Sequence, residues 1–138
     1  MRRLIFALAL VTVAALAFVG LIYGVSELGP EIITVRTTST DGTTAETRLW
    51  IVDHQGAAWL RSGMKTSGWY VRIVANPSIE IERGGTWTRM HAQPIHDPDM
   101  RDRIHALMAE KYGLADRFIS ALRDGEQSVP IHLEPLDS

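Results

Sequence analysis

Residues 62–67, with the sequence SGMKTS, bring one cation and three hydroxyl groups together just ahead of an apolar run. If that run is a helix, its first N–H groups are free and its dipole places partial positive charge at this end. Such an end binds oxyanions, and glycine lets the backbone approach them closely. Ser62, Lys65, Thr66 and Ser67 are therefore candidate ligands of a phosphate group. The alternative is an ordinary turn in which Thr66 or Ser67 caps the helix.

Two arginines and two tryptophans near this loop could complete a cofactor site. Arg48 and Arg61 lie on predicted strands before the loop and could bind the same phosphate. The alternative is that both are solvated surface residues. Trp50 and Trp69 offer flat apolar faces on which a planar ring could stack, and the alternative for both is packing in the core or at its rim.

The histidines and tyrosines form no motif for a metal or a nucleophile. His54 falls in a turn, His105 on a predicted helix and His132 on the last predicted strand, without the spacing of a zinc site. The absence of cysteine excludes disulfides and thiolate ligands. Tyr70 and Tyr112 could donate protons to a substrate, but each belongs to an apolar helix face, and packing is the interpretation we favour. We predict no metal site.

Residues 4–25 form an uninterrupted apolar stretch without charge or proline. A helix of about 22 residues measures roughly 33 Å, enough to cross the hydrocarbon core of a bilayer. Arg2 and Arg3 precede the stretch, so we predict a single-pass anchor over residues 1–28 with a cytoplasmic N-terminus. The domain, residues 29–138, would then lie outside the cytoplasm. A cleaved signal peptide is the alternative, but the stretch continues well past the small residues around Ala17 that would mark cleavage.

Hydrophobic periodicity and turn residues predict the elements of the domain. Alternating and β-branched segments indicate strands, and apolar residues three or four apart indicate helices. Asp97 is a suitable N-cap with Pro98 behind it, and Gly113 should end that helix. The predicted strands cover residues 32–38, 46–53, 57–61, 78–83, 86–95 and 129–133, and the predicted helices begin near residues 67, 97 and 115.

This order predicts an α+β domain with a mostly antiparallel, closed or nearly closed sheet and flanking helices, because hairpins dominate the connections. Of the 14 basic residues, Arg2 and Arg3 precede the anchor, so 12 remain against 16 acidic residues, a net charge of −4 for residues 26–138. Such a surface makes nucleic acid a poor candidate partner.

Several short sequence words, in this order, resemble the deazaflavin-dependent nitroreductases of the split β-barrel superfamily, which also contains FMN-binding and pyridoxamine-phosphate-oxidase-like proteins. The words span residues 32–135: Thr37-Thr38, Leu49-Trp50, Ser62-Gly63, Trp69-Tyr70, Ala75-Asn76-Pro77, Gly84-Gly85, Asp97-Pro98 and Pro130. The resemblance implies a split barrel, a deazaflavin or FMN cofactor, reduction of a quinone or nitro compound, and a homodimer.

Two features depart from that family. The turn at residues 39–42 carries Asp41 and no basic residue, where many family members have a basic turn for the cofactor phosphate. The predicted outward topology also separates the domain from a cytoplasmic electron donor. A cofactor-free accessory or binding subunit of a membrane protein complex is therefore the second hypothesis. A haem-binding split barrel with His54, His91 or His132 as ligand is the third.

Overall fold

The computed structural model describes residues 1–27, 30–122 and 125–136. The chain divides into two compact units, Met1–Pro30 and Glu31–Ser138. In the first unit, helix α1 runs over Arg2–Glu27. Its segment Arg2–Gly20 is long and apolar enough to cross a membrane, and none of it is buried. Signal sequences have the same properties, so the membrane location stays a prediction.

In the second unit, the described residues form seven strands and three further α-helices. The order of elements agrees with the prediction, with one exception: the strand predicted over residues 46–53 is wrong, because the chain breaks at Ile51 into two strands. The elements are β1 Ile32–Thr38, β2 Thr44–Trp50, β3 Val52–His54, β4 Ala57–Ser62, α2 Gly68–Ala75, β5 Ser78–Arg83, β6 Thr86–Pro94, α3 Pro98–Tyr112, α4 Leu114–Ala121, a 3-10 turn Gly125–Gln127 and β7 Val129–Pro135.

All neighbouring strands pair antiparallel, in the order β2-β1-β5-β6-β7-β4-β3. Strands β2 and β3 thus lie at opposite edges of one sheet, yet only Ile51 separates them in the chain. Because consecutive Cα atoms are about 3.8 Å apart, the two edges must converge at this residue. The sheet therefore curls into a partial barrel, which confirms the predicted α+β, mostly antiparallel split barrel.

The backbone of Ile51 bonds to a side chain at this junction. Its N–H donates to the hydroxyl oxygen of Tyr112, at 3.0 Å, and its carbonyl accepts from Lys111 Nζ, at 2.8 Å. The Tyr112 hydroxyl in turn donates to the carbonyl of Glu31, at 2.7 Å. Since Ile51 is fully buried, these bonds replace the water that its peptide groups lose on folding. Helix α3 thus fastens the edges of the sheet.

A charged cluster lies beside the junction. Arg83 donates to Glu31 at 2.9 and 3.0 Å and to Asp53 at 2.7 and 2.9 Å, and Lys111 also contacts Glu31. The hydrogen bonds from Arg83 hold the pKa of both carboxyls below their ordinary values. These side chains are about a third exposed or more, so each pair adds little stability. The cluster links the start of β1 to β3, β5 and α3.

Apolar residues alternate between two layers. Ile51 and Leu60 point into the barrel, whereas their neighbours Val52 and Trp59 point outward against α3, as the period of a strand requires. The inner layer contains Ile33, Val35, Ile51, Leu60, Trp69, Tyr70, Ile73, Ile79, Ile81, Met90, Ala92, Val129, Ile131 and Leu133. The outer layer contains Val52, Trp59, Ile104, Met108 and Tyr112, with Met100 and Leu107 at its border.

The helix boundaries test the predicted caps. At α3, Asp97 accepts from the N–H groups of Asp99 and Met100, and Pro98 follows, as predicted. Gly113 ends this helix with a φ of 56°, a conformation that glycine adopts without strain. At α2, Ser67 occupies the N-cap position, but its side chain makes no capping bond, so the predicted hydroxyl cap is wrong.

The buried face of α2 is narrow and excludes Val74. Trp69, Tyr70 and Ile73 are buried, but Val74 is 60% exposed. At 100° per residue, Val74 lies about 90° from the centre of the buried stripe and so turns away from the barrel.

We expect Tyr112→Phe to lower the free energy of unfolding by about 1–3 kcal/mol, because it leaves the buried N–H of Ile51 without an acceptor. Urea unfolding of the full-length protein in detergent, followed by tryptophan fluorescence, measures the change. Tyr70→Phe is the matched control, since the described residues show no hydrogen bond to that hydroxyl. Equal losses for the two variants would contradict the role assigned to Tyr112.

Candidate functional site

The largest of the clefts found among residues 30–122 and 125–136, called the largest cleft below, has a volume of about 410 Å³ and lies between the end of β4, α3, α4 and the 3-10 turn. Apolar and charged side chains both reach it, which is typical of sites that bind small organic molecules. Its lining consists of Arg61, Gly63, His105, Ala106, Ala109, Asp116, Ile119, Ser120, Gly125 and Ser128.

An ion pair forms one wall of this cleft. Arg61 Nη2 lies 2.6 Å from a carboxylate oxygen of Asp116, and their side chains are only 11% and 6% exposed. Arg61 is therefore not the solvated surface residue that was its alternative interpretation. Because breaking a buried pair leaves one charge uncompensated, the pair holds α4 against the end of β4.

His105 lies next to the ion pair in a defined tautomer. Its Nδ1 accepts a hydrogen bond from Arg61 Nη1 at 2.9 Å, so its Nε2 carries the proton and donates to the carbonyl of Gly125 at 3.2 Å. Burial, followed by the nearby charge of Arg61, lowers the pKa of His105. The imidazole is thus neutral at physiological pH and can position neighbours without adding charge.

Ser128 presents the cleft with an unused polar atom. The side chain is 5% exposed, and its hydroxyl has no hydrogen-bond partner among the described residues. A buried hydroxyl without a partner is unfavourable, so it marks a position where a ligand or a water molecule would be stabilised. Ser128 also lines a second, smaller cleft of about 170 Å³ that contains Lys65 and Arg101.

A third cleft, of about 200 Å³, is lined by three of the predicted site residues, Arg48, Trp50 and Arg61. Arg48, Leu49 and Trp50 from β2 line it, and it shares Arg61 and Ile119 with the largest cleft. One face of the Trp50 indole is covered by the ring of Tyr112, at 4.3 Å and nearly parallel. Only the opposite face of Trp50 could therefore stack on a ligand.

The predicted phosphate loop does not converge on one point. Ser62 is buried and its hydroxyl donates to the carbonyl of Met64 at 2.7 Å. Lys65 and Thr66 are exposed, and Ser67 is half-buried at the start of α2. Trp69 is 6% exposed, packs in the inner apolar layer and touches Tyr70 edge-on. Trp69 therefore does not line an open cleft among the described residues. The roles of the loop residues Ser62, Lys65, Thr66 and Ser67 as phosphate ligands stay a prediction.

The sequence reasoning missed Arg72, one helical turn after Gly68. Its guanidinium lies back along α2, so that a Cβ on Gly68 would come within 3.0 Å of Nη1. Its Nε donates to the buried hydroxyl of Thr37 at 2.6 Å, and Thr37 bonds to Ala45. Because helical side chains lean towards the N-terminus, the spacing of four residues could have identified this cation.

The positions of the histidines do not change the haem-binding hypothesis or the prediction that there is no metal site. His54, His91 and His132 lie on β3, β6 and β7. Within residues 1–27, 30–122 and 125–136, no three His, Cys, Asp or Glu side chains form a group that could hold a metal ion.

Comparison with known proteins identifies the family of this chain and shows which solved structures share its fold. A family model described as F420H(2)-dependent quinone reductase matches residues 27–124. No curated protein sequence matches significantly.

Three of the solved structures that are similar to this chain illustrate the range of proteins with this fold. HutZ, the heme storage protein from Vibrio cholerae, has 14% identity and a TM-score of 0.63 over 83% of this chain and 89% of that one. A structure described as a domain-swapped dimer has 20% sequence identity and a TM-score of 0.61, over 77% of this chain and 81% of that one. An F420-H2 dependent reductase (FDR-A) has 18% sequence identity and a TM-score of 0.58, over 77% of this chain and 95% of that one. Identities this low establish a shared fold only.

We expect the neutral His105 to make the stability of the fold depend on pH. Its pKa is lowered on folding from an ordinary value of 6.5, so the unfolded state binds more protons as the pH falls below that value. Stability should therefore fall as the pH decreases through 6.5 towards the folded-state pKa. In His105→Gln, this part of the pH dependence should disappear from the urea midpoint. His96→Gln, at an exposed position, should retain it, and an unchanged profile in His105→Gln would contradict the assignment.

Proposed function

Since the chain belongs to the F420H2-dependent quinone reductase family, we propose that it is a deazaflavin-dependent oxidoreductase that reduces an organic acceptor of the quinone or nitro type. The observation that carries this proposal is the family match over residues 27–124, which includes β1 to β6, α2 and both helices of the largest cleft. The cofactor would supply the hydride, so the protein has to bind the cofactor, orient its ring towards the acceptor and shield both from competing reactions.

The donors in the domain fit an anionic cofactor. Arg48 is exposed and Arg72 half-buried, and neither has a carboxylate partner within the described part of the chain. Arg72 lies near the free N–H groups of α2, and Lys65 adds an exposed cation. These residues, with Ser67, would hold phosphate and other acidic groups. Leu49 and the free face of Trp50 would contact the apolar ring. FMN also carries a phosphate group and an apolar ring, and it is therefore the alternative cofactor.

The acceptor would occupy the 410 Å³ cleft. Ala106, Ala109 and Ile119 provide an apolar wall for a ring, and Ser128 can donate a hydrogen bond to a carbonyl or nitro oxygen. The shared residues Arg61 and Ile119 make this cleft adjacent to the one at Arg48 and Trp50, so the two ligands would lie side by side.

We also propose that α1 anchors the protein in a bilayer, with a cytoplasmic N-terminus and the domain outside, where a lipid-soluble quinone would be accessible. Support comes from the apolar segment Arg2–Gly20 and the two arginines before it. A homodimer is proposed as well, since one solved structure of this fold is described as a domain-swapped dimer.

A cofactor-free accessory subunit is the second candidate function. It is favoured by the turn between β1 and β2, in which Asp41 accepts a hydrogen bond from the N–H of Thr43 at 2.9 Å. That turn presents an acidic group where a phosphate-binding turn would present N–H groups or cations. Cofactor binding separates the two candidates.

Equilibrium binding of F420 and of FMN to the full-length protein in detergent tests the cofactor proposal. We expect micromolar or tighter binding of F420, weakened about tenfold in Arg72→Gln, which corresponds to about 1.4 kcal/mol. The control Arg117→Gln removes an exposed cation from α4 and should bind normally. Binding of neither cofactor would refute the oxidoreductase and favour the accessory subunit.

Ser128→Ala tests the acceptor cleft in steady-state reduction of a soluble quinone. Loss of a neutral hydrogen bond costs about 0.5–1.5 kcal/mol, so we expect KM for the quinone to rise about three- to tenfold with F420 affinity unchanged. The free protein should be as stable as before or more so, because the variant removes an unpaired buried hydroxyl. An unchanged KM would place the acceptor elsewhere.

A further inference from the structure

Helix α4 and its C-cap residue Leu122 expose a stripe of three large apolar side chains. Leu114, Phe118 and Leu122 are 81%, 71% and 74% exposed, and none packs against the apolar layers of the described domain. The three residues are four apart, so they lie within an arc of about 80° on one helix face. Isolated exposed apolar residues are common, but a contiguous row of this kind marks an interaction surface.

The orientation of this stripe is set from the other side of the helix. Asp116 lies about 160° from the centre of the stripe and is tied to Arg61 by the buried ion pair. Ser120, on the same side, donates to Asp116 at 3.4 Å. Because a polar contact directs the inner face of α4 to the domain, the apolar face is left pointing outward.

We propose that this stripe contacts the lipid surface of the bilayer that α1 enters. The proposal rests on the membrane anchoring proposed above. Only four residues separate the end of α1 at Glu27 from the start of β1 at Ile32, so chain length alone keeps the domain close to that bilayer. A short helix with one apolar face and an adjacent cation is the pattern of interfacial helices, whose apolar side chains enter the boundary between headgroups and acyl chains.

Arg117 supplies the cation. It is exposed next to Phe118, and the described residues show no ion pair to it. A guanidinium at the edge of an inserted apolar face can extend to lipid phosphates. A lipid surface therefore satisfies both parts of this face.

The absence of cysteine allows a direct test, because each introduced cysteine is the only site for a thiol-reactive, environment-sensitive fluorophore. Three full-length variants, Val11→Cys, Phe118→Cys and Thr43→Cys, are labelled and reconstituted into phospholipid nanodiscs. Spin-labelled lipids carry the quencher either near the headgroup or near the chain end. Val11 reports on the middle of the proposed span, and Thr43 on an exposed hairpin.

We expect a blue-shifted emission at position 118 and a loss of emission, with quenchers near the headgroup, several-fold larger than at position 43. Position 11 should respond most to quenchers near the chain end. If position 11 is quenched and position 118 is not, the anchor stands and the lipid contact of α4 is refuted. A blue shift at position 118 without quenching would also overturn the proposal and assign the stripe to a second copy or another protein. No quenching at position 11 would refute the anchoring itself.

Discussion

One residue, Ile51, joins the opposite edges of a seven-stranded sheet, and the rest of the domain is arranged around this constraint. A single peptide link cannot cross an open sheet, so the sheet has to curl. At the junction the ladder is interrupted, and the peptide groups of Ile51 need other partners. Tyr112 and Lys111 supply them, which requires that α3 pack against β3 and β4. The outer apolar layer provides the free energy for that packing.

The clefts follow from the docking of α3. Since α3 ends at Tyr112 on the junction, the chain has to turn immediately, and Gly113 permits the turn with its positive φ. Helix α4 then comes back over the end of β4, where Asp116 meets Arg61. A buried ion pair contributes little net stability compared with apolar contacts, but it requires one geometry. The space left between these elements is the largest cleft, with the neutral His105 and the unpaired Ser128 on its walls.

Two of the short words that carry the family resemblance, Thr37-Thr38 and Ala75-Asn76-Pro77, take part in tertiary contacts. Thr37 accepts a hydrogen bond from Arg72, and the carbonyl of Thr38 accepts one from Asn76 at 3.3 Å, so β1 is tied to the last turn of α2 and to its C-cap. Asp97 and Pro98 start the helix that reaches the junction. Each word is weak when read alone because it describes only local geometry. Their order is specific because each contact presupposes the same packing.

Most of the elements, their order, the cap of α3 and the apolar character of α1 were predictable from the sequence, since these depend on local propensity and on the period of apolar residues. The sequence also indicated the antiparallel split barrel, through hairpin turns and family words. The folded chain was needed to show that residue 51 is a junction rather than the middle of a strand, and that Trp69 is buried in the core. Tertiary packing alone brought Arg61 to Asp116 and the Nε of Arg72 to the hydroxyl of Thr37. These outcomes depend on which distant groups meet and share charge or hydrogen bonds, and spacing along the chain carries no record of that.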